Sequence, residues 1–328
     1  MNKNVWLTFT ALLLAPLAGL AAAEPAKPEP MPKADGVSFP IDFTFREAIG
    51  PERGLTRRDP SDVIKVGDEY FVWYSKVTKG PNVSDYPSGY SADVWFATSP
   101  DGLQWTEQGE AIGQGSQSAW DERGVFTPNI LRFGKKYYLY YTAVAAGHNK
   151  STSTRIGVAM ADAPAGPWKK FEGNPVLSPS DDSAKFDSMR VDDAALLVRE
   201  GKIWLFYKGR AKRKGPTETK MGVAFGDSPT GPFTKHGEPL HAGHEVMVWP
   251  HCKGVASLAT AAGPRMVYFA ADDLHFEPKN AVANHPAAPG AFRSDDFENP
   301  EEGKSLGWGI SHSTKRGDLF LMRFDSKP

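Results

Sequence analysis

Four segments of this chain repeat one plan at nearly constant spacing: a short apolar strand, a glycine turn, then an aromatic strand. They are 63–66, Gly67 and 70–74; 130–133, Gly134 and 137–141; 196–198, Gly201 and 203–207; and 255–258, Gly263 and 266–269. The turn glycines lie 67, 67 and 62 residues apart. After each hairpin comes a further strand and a turn closed by an aromatic residue. These turns are Pro100-Asp101-Gly102 with Trp105, Pro164-Ala165-Gly166 with Trp168, and Pro229-Thr230-Gly231 with Phe233. Asp273-Leu274-His275-Phe276 is a degenerate fourth copy. Four-strand units at a fixed period imply radial or linear stacking of small sheets. Tyr70-Phe71-Val72-Trp73-Tyr74 shows no polar alternation, as expected of a strand buried on both faces between neighbours. Segments 308–312 and 318–324 supply two strands of a fifth unit, and 37–45 can close the ring. The expectation is an all-β, five-bladed β-propeller; a β-sandwich would leave the near-equal periods unexplained.

The beginning of the chain reads as an address. Lys3, an apolar run over 5–20 and Ala21-Ala22-Ala23 form a secretory signal over 1–23. The run contains Thr8, Thr10 and Pro16, and is short of the ~20 apolar residues of a spanning helix, so no membrane anchor is expected. Residues 24–36 form a Pro-rich linker, and 37–328 the propeller domain. Periplasmic or secreted localisation follows. A formal charge of −1 gives no footprint for nucleic acid. A single cysteine excludes a disulfide framework. The expected partner is an oligosaccharide substrate; no cofactor is required, and a structural divalent cation in the channel is left open.

In a propeller the inner strands face one shared channel. Asp59 lies eight residues before Gly67, and Asp193 eight before Gly201. The matching region of the second unit is Phe126-Thr127-Pro128-Asn129, and the fourth is preceded by His244-Glu245 and Trp249-Pro250-His251. Carboxyl groups converging across a pocket suit glycosidic cleavage, in which one activates water and another protonates the leaving oxygen. Each has a plainer reading: Asp59-Pro60 as a turn opener, Asp192-Asp193 as a strand end with the inward residue uncertain by one, His244-Glu245 as a surface pair. His241, His244 and His251 match no strong zinc spacing, so no metal site is expected. Arg58, Trp120, Thr127, Asn129, Lys208, Trp249 and His251 are candidate substrate contacts.

Arg57-Arg58-Asp59-Pro60-Ser61-Asp62, Gly124-Val125-Phe126-Thr127-Pro128-Asn129, Arg190-Val191-Asp192-Asp193 and Gly243-His244-Glu245-Val246, in this order, resemble glycoside hydrolase family 117. These are the α-1,3-L-neoagarooligosaccharide hydrolases (3,6-anhydro-α-L-galactosidases), more distantly similar to the propellers of families 43, 32 and 68. The resemblance spans most of 45–325. It implies an exo-acting, inverting glycoside hydrolase that releases terminal 3,6-anhydro-L-galactose in agar degradation. By position Asp59 resembles the general base, Asp193 the carboxylate that orients the sugar and tunes its neighbours, His244 the family's unusual acid and Glu245 the third acidic residue. A carboxylate beside His244 would keep its imidazolium charged near neutral pH; in the family 43 pattern a glutamate is the acid, which leaves Glu245 as rival. The family's Ser-x-Ala-x-x-Arg segment, associated with a swapped dimer, is absent, so the oligomeric state is left open, a dimer included. Lys253 beside the site would favour an anionic group, which raises a sulfated or acidic galactan as an alternative substrate, alongside an arabinofuranoside or a non-catalytic glycan-binding propeller.

Overall fold

A computed structural model describes residues 38–327, apart from 41, 81–89, 148–151, 262–264, 273, 294–296, 298–305 and 315–316. The leader and linker expected over 1–36 lie outside the described residues. Strand β1 (Asp42–Ile49) comes first. The first blade is β2 (Leu55–Arg58), β3 (Ile64–Val66), β4 (Glu69–Thr78), β5 (Asp93–Ser99) and β6 (Thr106–Ile112). The second is β7 (Gly124–Phe133), β8 (Lys136–Val144), β9 (Arg155–Ala161) and β10 (Lys169–Lys170). The third is β11 (Arg190–Arg199), β12 (Lys202–Arg210), β13 (Lys220–Gly226) and β14 (Thr234–Lys235), with β15 (His241–Ala242) also on β13. The fourth is β16 (His244–His251), β17 (Gly254–Ala261), β18 (Met266–Ala270) and β19 (Glu277–Ala281). The fifth is β20 (Ala287–Ala291), β21 (Trp308–His312) and β22 (Leu321–Lys327), and its outermost place is taken by β1. The architecture is a five-bladed β-propeller.

Burial explains why aromatic strands sit second in their blades. Trp73 and Tyr74 of β4, Tyr140 and Tyr141 of β8, and Phe206 and Tyr207 of β12 are fully buried. Consecutive residues point to opposite faces of a strand, so a blade whose successive side chains are both buried is covered on both faces. Neighbouring blades contact one another around the ring: β4 with β7, β7 with β11, β11 with β16, and β16 with β20. A parallel bridge between Val63 and Phe292 joins the first blade to the fifth. The ring is closed by β1, which pairs with β22 from Asp42↔Lys327 to Ile49↔Leu321. Phe43 is 1 % exposed and packs edge-on against Phe324.

The turn after the second blade's inner strand uses Gly134 at φ 59°, a left-handed conformation that a side chain disfavours. In the fourth blade this logic misleads. The inner strand is β16, its turn is Cys252-Lys253 with Cys252 at φ 52°, and the segment 255–258 belongs to the second strand. With no glycine in the left-handed place, the turn is silent in the sequence, and Gly263 falls outside the described residues. The fifth blade's inner strand, β20, reads Ala-Ala-Pro-Gly-Ala and carries no apolar signal.

Candidate active site

Each inner segment carries one non-glycine residue in the left-handed region: Asp59 (φ 49°), Thr127 (45°), Asp193 (54°), Glu245 (56°) and Ala288 (40°). The ladders break at the same points. The β7/β8 pairing jumps from Phe126 to Asn129, β11/β12 from Asp192 to Ala195, and β20/β21 from Ala287 to Gly290; β16/β17 pairs His244 and Val246 but skips Glu245. The register shifts in the second, third and fifth blades are bulges, which re-aim a side chain that regular alternation would turn elsewhere; the fourth blade keeps its register on both sides of Glu245. The left-handed backbone costs roughly 1–2 kcal/mol per residue, a strain typical of functional positions. The freed N–H groups are taken by the preceding blade: Thr127 N–H donates to Ser75 Oγ (2.8 Å), and Asp193 N–H to Thr142 Oγ1 (3.1 Å). Proline follows at 60, 128 and 289, where no ladder hydrogen bond is needed.

All five residues line a channel cavity of about 40 Å³. The four that carry functional side chains also line the cavity of about 170 Å³ outside it. Asp59 receives a hydrogen bond from Arg58 Nε at 2.7 Å, and His312 Nε2 stands 3.7 Å from its other oxygen. Burial opposes ionisation of Asp59, but the charges of Arg58 and His312 outweigh it and hold its carboxyl below the ordinary value. Asp193 is different. Burial is the largest influence and, despite Lys208 Nζ at 2.5 Å, with Asp192 and Asp59 as like charges, it lifts the carboxyl to about 6. Lys208 is buried, yet Asp193 and Asp192 raise its pKa further and keep it cationic.

His244 is anchored. Thr219 Oγ1 donates to the Pro216 carbonyl (3.0 Å) and lies 3.3 Å from His244 Nδ1. Because the hydroxyl has only one proton to give, it must accept from Nδ1–H, which leaves Nε2 as the ring's remaining proton site. Lys208 first, then burial, Arg210 and Arg58 push the imidazole down to about 2, and Asp59 offsets only part of this. The expectation that a nearby carboxylate keeps His244 charged is therefore corrected: cations dominate its surroundings. Glu245 accepts from Thr260 Oγ1 at 3.3 Å.

Arg58, Thr127 and Lys208 line the outer cavity as expected. Asn129 sits deeper, where its Oδ1 accepts the N–H groups of Asp62 (3.1 Å) and Ile130 (2.8 Å), so it braces two blades. Three expected contacts lie elsewhere. Trp120 stacks on Tyr141, Trp249 is 3 % exposed among Phe39, Met247 and Phe324, and His251 stacks on Phe39. His251 ends the strand that His244 begins, roughly 23 Å away at 3.3 Å per residue. Lys253, in the turn beyond it, is equally remote from the cavity. His241 stacks on Tyr268 and hydrogen-bonds Ser257. Among the described residues no group of three or more His, Cys, Asp or Glu side chains is placed to hold a metal ion.

The residues missed are Tyr90, Arg190, Arg210 and Thr219, all on the outer cavity, and His312 behind Asp59; Asp192, the alternative to Asp193, lines the cavity as well. Asp192 and Asp193 both reach the cavity because the bulge suspends alternation there. A repeat of residue-then-proline at Asp59-Pro60, Thr127-Pro128 and Ala288-Pro289 was the available signal for the fifth inner strand.

Three carboxylates on left-handed backbone from three blades, meeting around one cavity of a five-bladed ring, define a propeller glycoside hydrolase. The family model of glycosyl hydrolases family 43 matches residues 55–213. A family 117 glycoside hydrolase from the marine bacterium Zobellia galactanivorans is 31 % identical, with 88 % of this chain and 90 % of that one covered and a TM-score of 0.78. The chain belongs to glycoside hydrolase family 117. The catalytic domain of a Coprinopsis cinerea GH62 alpha-L-arabinofuranosidase shares the fold at 12 % identity and TM-score 0.60, over 88 % of this chain and 98 % of that one. An extracellular endo-alpha-(1->5)-L-arabinanase of Thermotoga petrophila is 24 % identical over 190 residues, half of this chain; the match spans 34 % of that relative's length.

Proposed function

We propose that this glycosidase is exported and removes the terminal 3,6-anhydro-L-galactose from agar-derived oligosaccharides, with inversion. The carrying observation is the placement of Asp59, Asp193, His244 and Glu245 on one cavity of about 170 Å³. That is below the ~300–1,000 Å³ of sites that engulf a drug-sized ligand, and the channel beneath it narrows to about 40 Å³. A cavity of this size suits a single terminal sugar, which supports exo-action. The substrate itself rests on the motif resemblance. The extracellular description of the arabinanase relative and the sequence of residues 1–23 support export.

In this reading Asp59, kept ionised by Arg58 and His312, takes a proton from water as the water attacks the anomeric carbon. Asp193, gripped by Lys208, orients the sugar. By the resemblance His244 is the acid; with Nδ1–H held by Thr219, it must first take up a second proton, at Nε2, to give to the leaving oxygen. Lys208, burial, Arg210 and Arg58 oppose that second proton, which favours Glu245 as donor instead.

Replacing Asp59 with Asn should lower kcat on neoagarobiose by about 10²–10⁴-fold while calorimetry still detects the sugar; wild-type turnover would remove Asp59 from the role of base. His244→Ala and Glu245→Gln, assayed with a good and a poor leaving group, identify the donor. Only loss of the donor is rescued by the good leaving group.

A further inference from the structure

Arg190 and Arg210 are direct cross-strand partners on β11 and β12, and both line the outer cavity. Like charges facing each other across a ladder are destabilising, and of the carboxylates on this cavity Asp59, Asp192 and Asp193 are already engaged by other cations, while Glu245 accepts from Thr260. Arg58 holds Asp59, and Lys208 holds Asp193 with Asp192 at 3.7 Å. Arg190 also donates to Tyr90 OH at 3.1 Å. Arg210 is 8 % exposed and, among the described residues, forms no ion pair; burial and Arg190 outweigh the charge of Asp192 and lower its pKa, and its Nε has no hydrogen-bond partner. A guanidinium this buried costs stability unless a counter-charge arrives. A sugar hydroxyl can offer a lone pair, but only an anion offsets the charge, and the planar fork fits a sulfate or carboxylate in two-point contact.

We propose that Arg210, with Arg190 beside it, is a specificity site for an anionic substituent, a sulfate ester or a carboxylate, on the oligosaccharide this enzyme cleaves. It deepens the glycosidase reading above and rests on it. The cation invoked from the sequence, Lys253, is not involved. The same anion would offset the positive field around His244, on the wall next to Arg210.

The test compares neoagarobiose with the same disaccharide bearing a sulfate ester, and with a uronate-containing one, on wild-type protein, Arg210→Gln and Arg210→Lys. The expected kcat/KM for at least one charged disaccharide exceeds that of the neutral one by about tenfold or more, as for a hydrogen-bonded charge. Arg210→Gln removes this ratio through KM, and Arg210→Lys keeps part of it. Which charged sugar is preferred distinguishes sulfate from carboxylate. Equal or better cleavage of the neutral disaccharide, or an unchanged ratio in Arg210→Gln, overturns the proposal. If none of the three is cleaved, the hydrolytic assignment to this substrate family has failed; calorimetric binding of the same sugars then decides the anion site separately. Preference for a charged sugar that is lost in Arg210→Gln supports it, and equal binding overturns it.

Discussion

His244 shows how one side chain's chemistry depends on what its neighbours have left to offer. Thr219 spends its only proton on Pro216, so the ring must donate through Nδ1. Losing that anchor frees the ring to rotate and to change tautomer. Thr219→Val should lower kcat about tenfold, the size of one hydrogen bond to an ionisable group, and shift the pH–rate profile; Thr219→Ser should restore both. A variant with reduced kcat but an unshifted profile would mean that Thr219 only packs. The left-handed residues tell a related story. Their carboxylates were legible because Asp59 and Asp193 keep the same distance from a turn glycine. Their backbone was not, because a left-handed φ at Asp, Thr or Glu leaves no mark on residue type.

Among the elements, β1 has the clearest structural duty. It brings the beginning of the folded chain onto the last strand, and Phe43 fixes it in a cluster with Met247, Trp249 and Phe324. Phe43→Ala should cost about 3–5 kcal/mol, as for other buried aromatics cut to Ala. Denaturant unfolding measures this, and a loss below about 1 kcal/mol would show that closure does not depend on Phe43. The first three blades could be read from sequence because a tight turn after the inner strand selects glycine. In the fourth, Cys252 stands in that conformation, and in the fifth the inner strand is small residues and proline. They hide for different reasons: β16 is apolar but its turn carries no left-handed glycine, whereas β20 has little apolar bulk of its own.

At the scale of the whole molecule, acid–base balance sets stability. Burial, with Glu110 nearby, raises Asp93 to about 6. Between roughly pH 4 and 6 the folded protein retains a proton there that the unfolded chain has released, so stability falls as pH rises through this window. Asp93→Asn should therefore stabilise the protein at pH 7, by about 1 kcal/mol after allowance for solvent screening, with the gain vanishing near pH 4. Urea unfolding at the two pH values checks this, and an equal gain at both would exclude the titration. Glu107 acts oppositely. Burial disfavours its charge, but hydrogen bonds from Arg57, Lys76 and Tyr74 bring it down to about 2, so what it contributes is present above its ordinary range and lost only in strong acid.

The sequence by itself determined the number of blades, the ring closure by an early strand and two carboxylates, Asp59 and Asp193, at matching heights, because turn glycines and aromatic strands recur at fixed distances along the chain. Only the tertiary structure decided which polar groups share a cavity. Trp249 and His251 lie close to Glu245 in sequence, yet a strand carries them away from it, whereas Arg190, Arg210 and Tyr90 reach the site from distant segments. Charge obeys the same rule: the protonation of His244 is set by Lys208, Arg210 and Arg58, which become its neighbours only when the blades close into a ring.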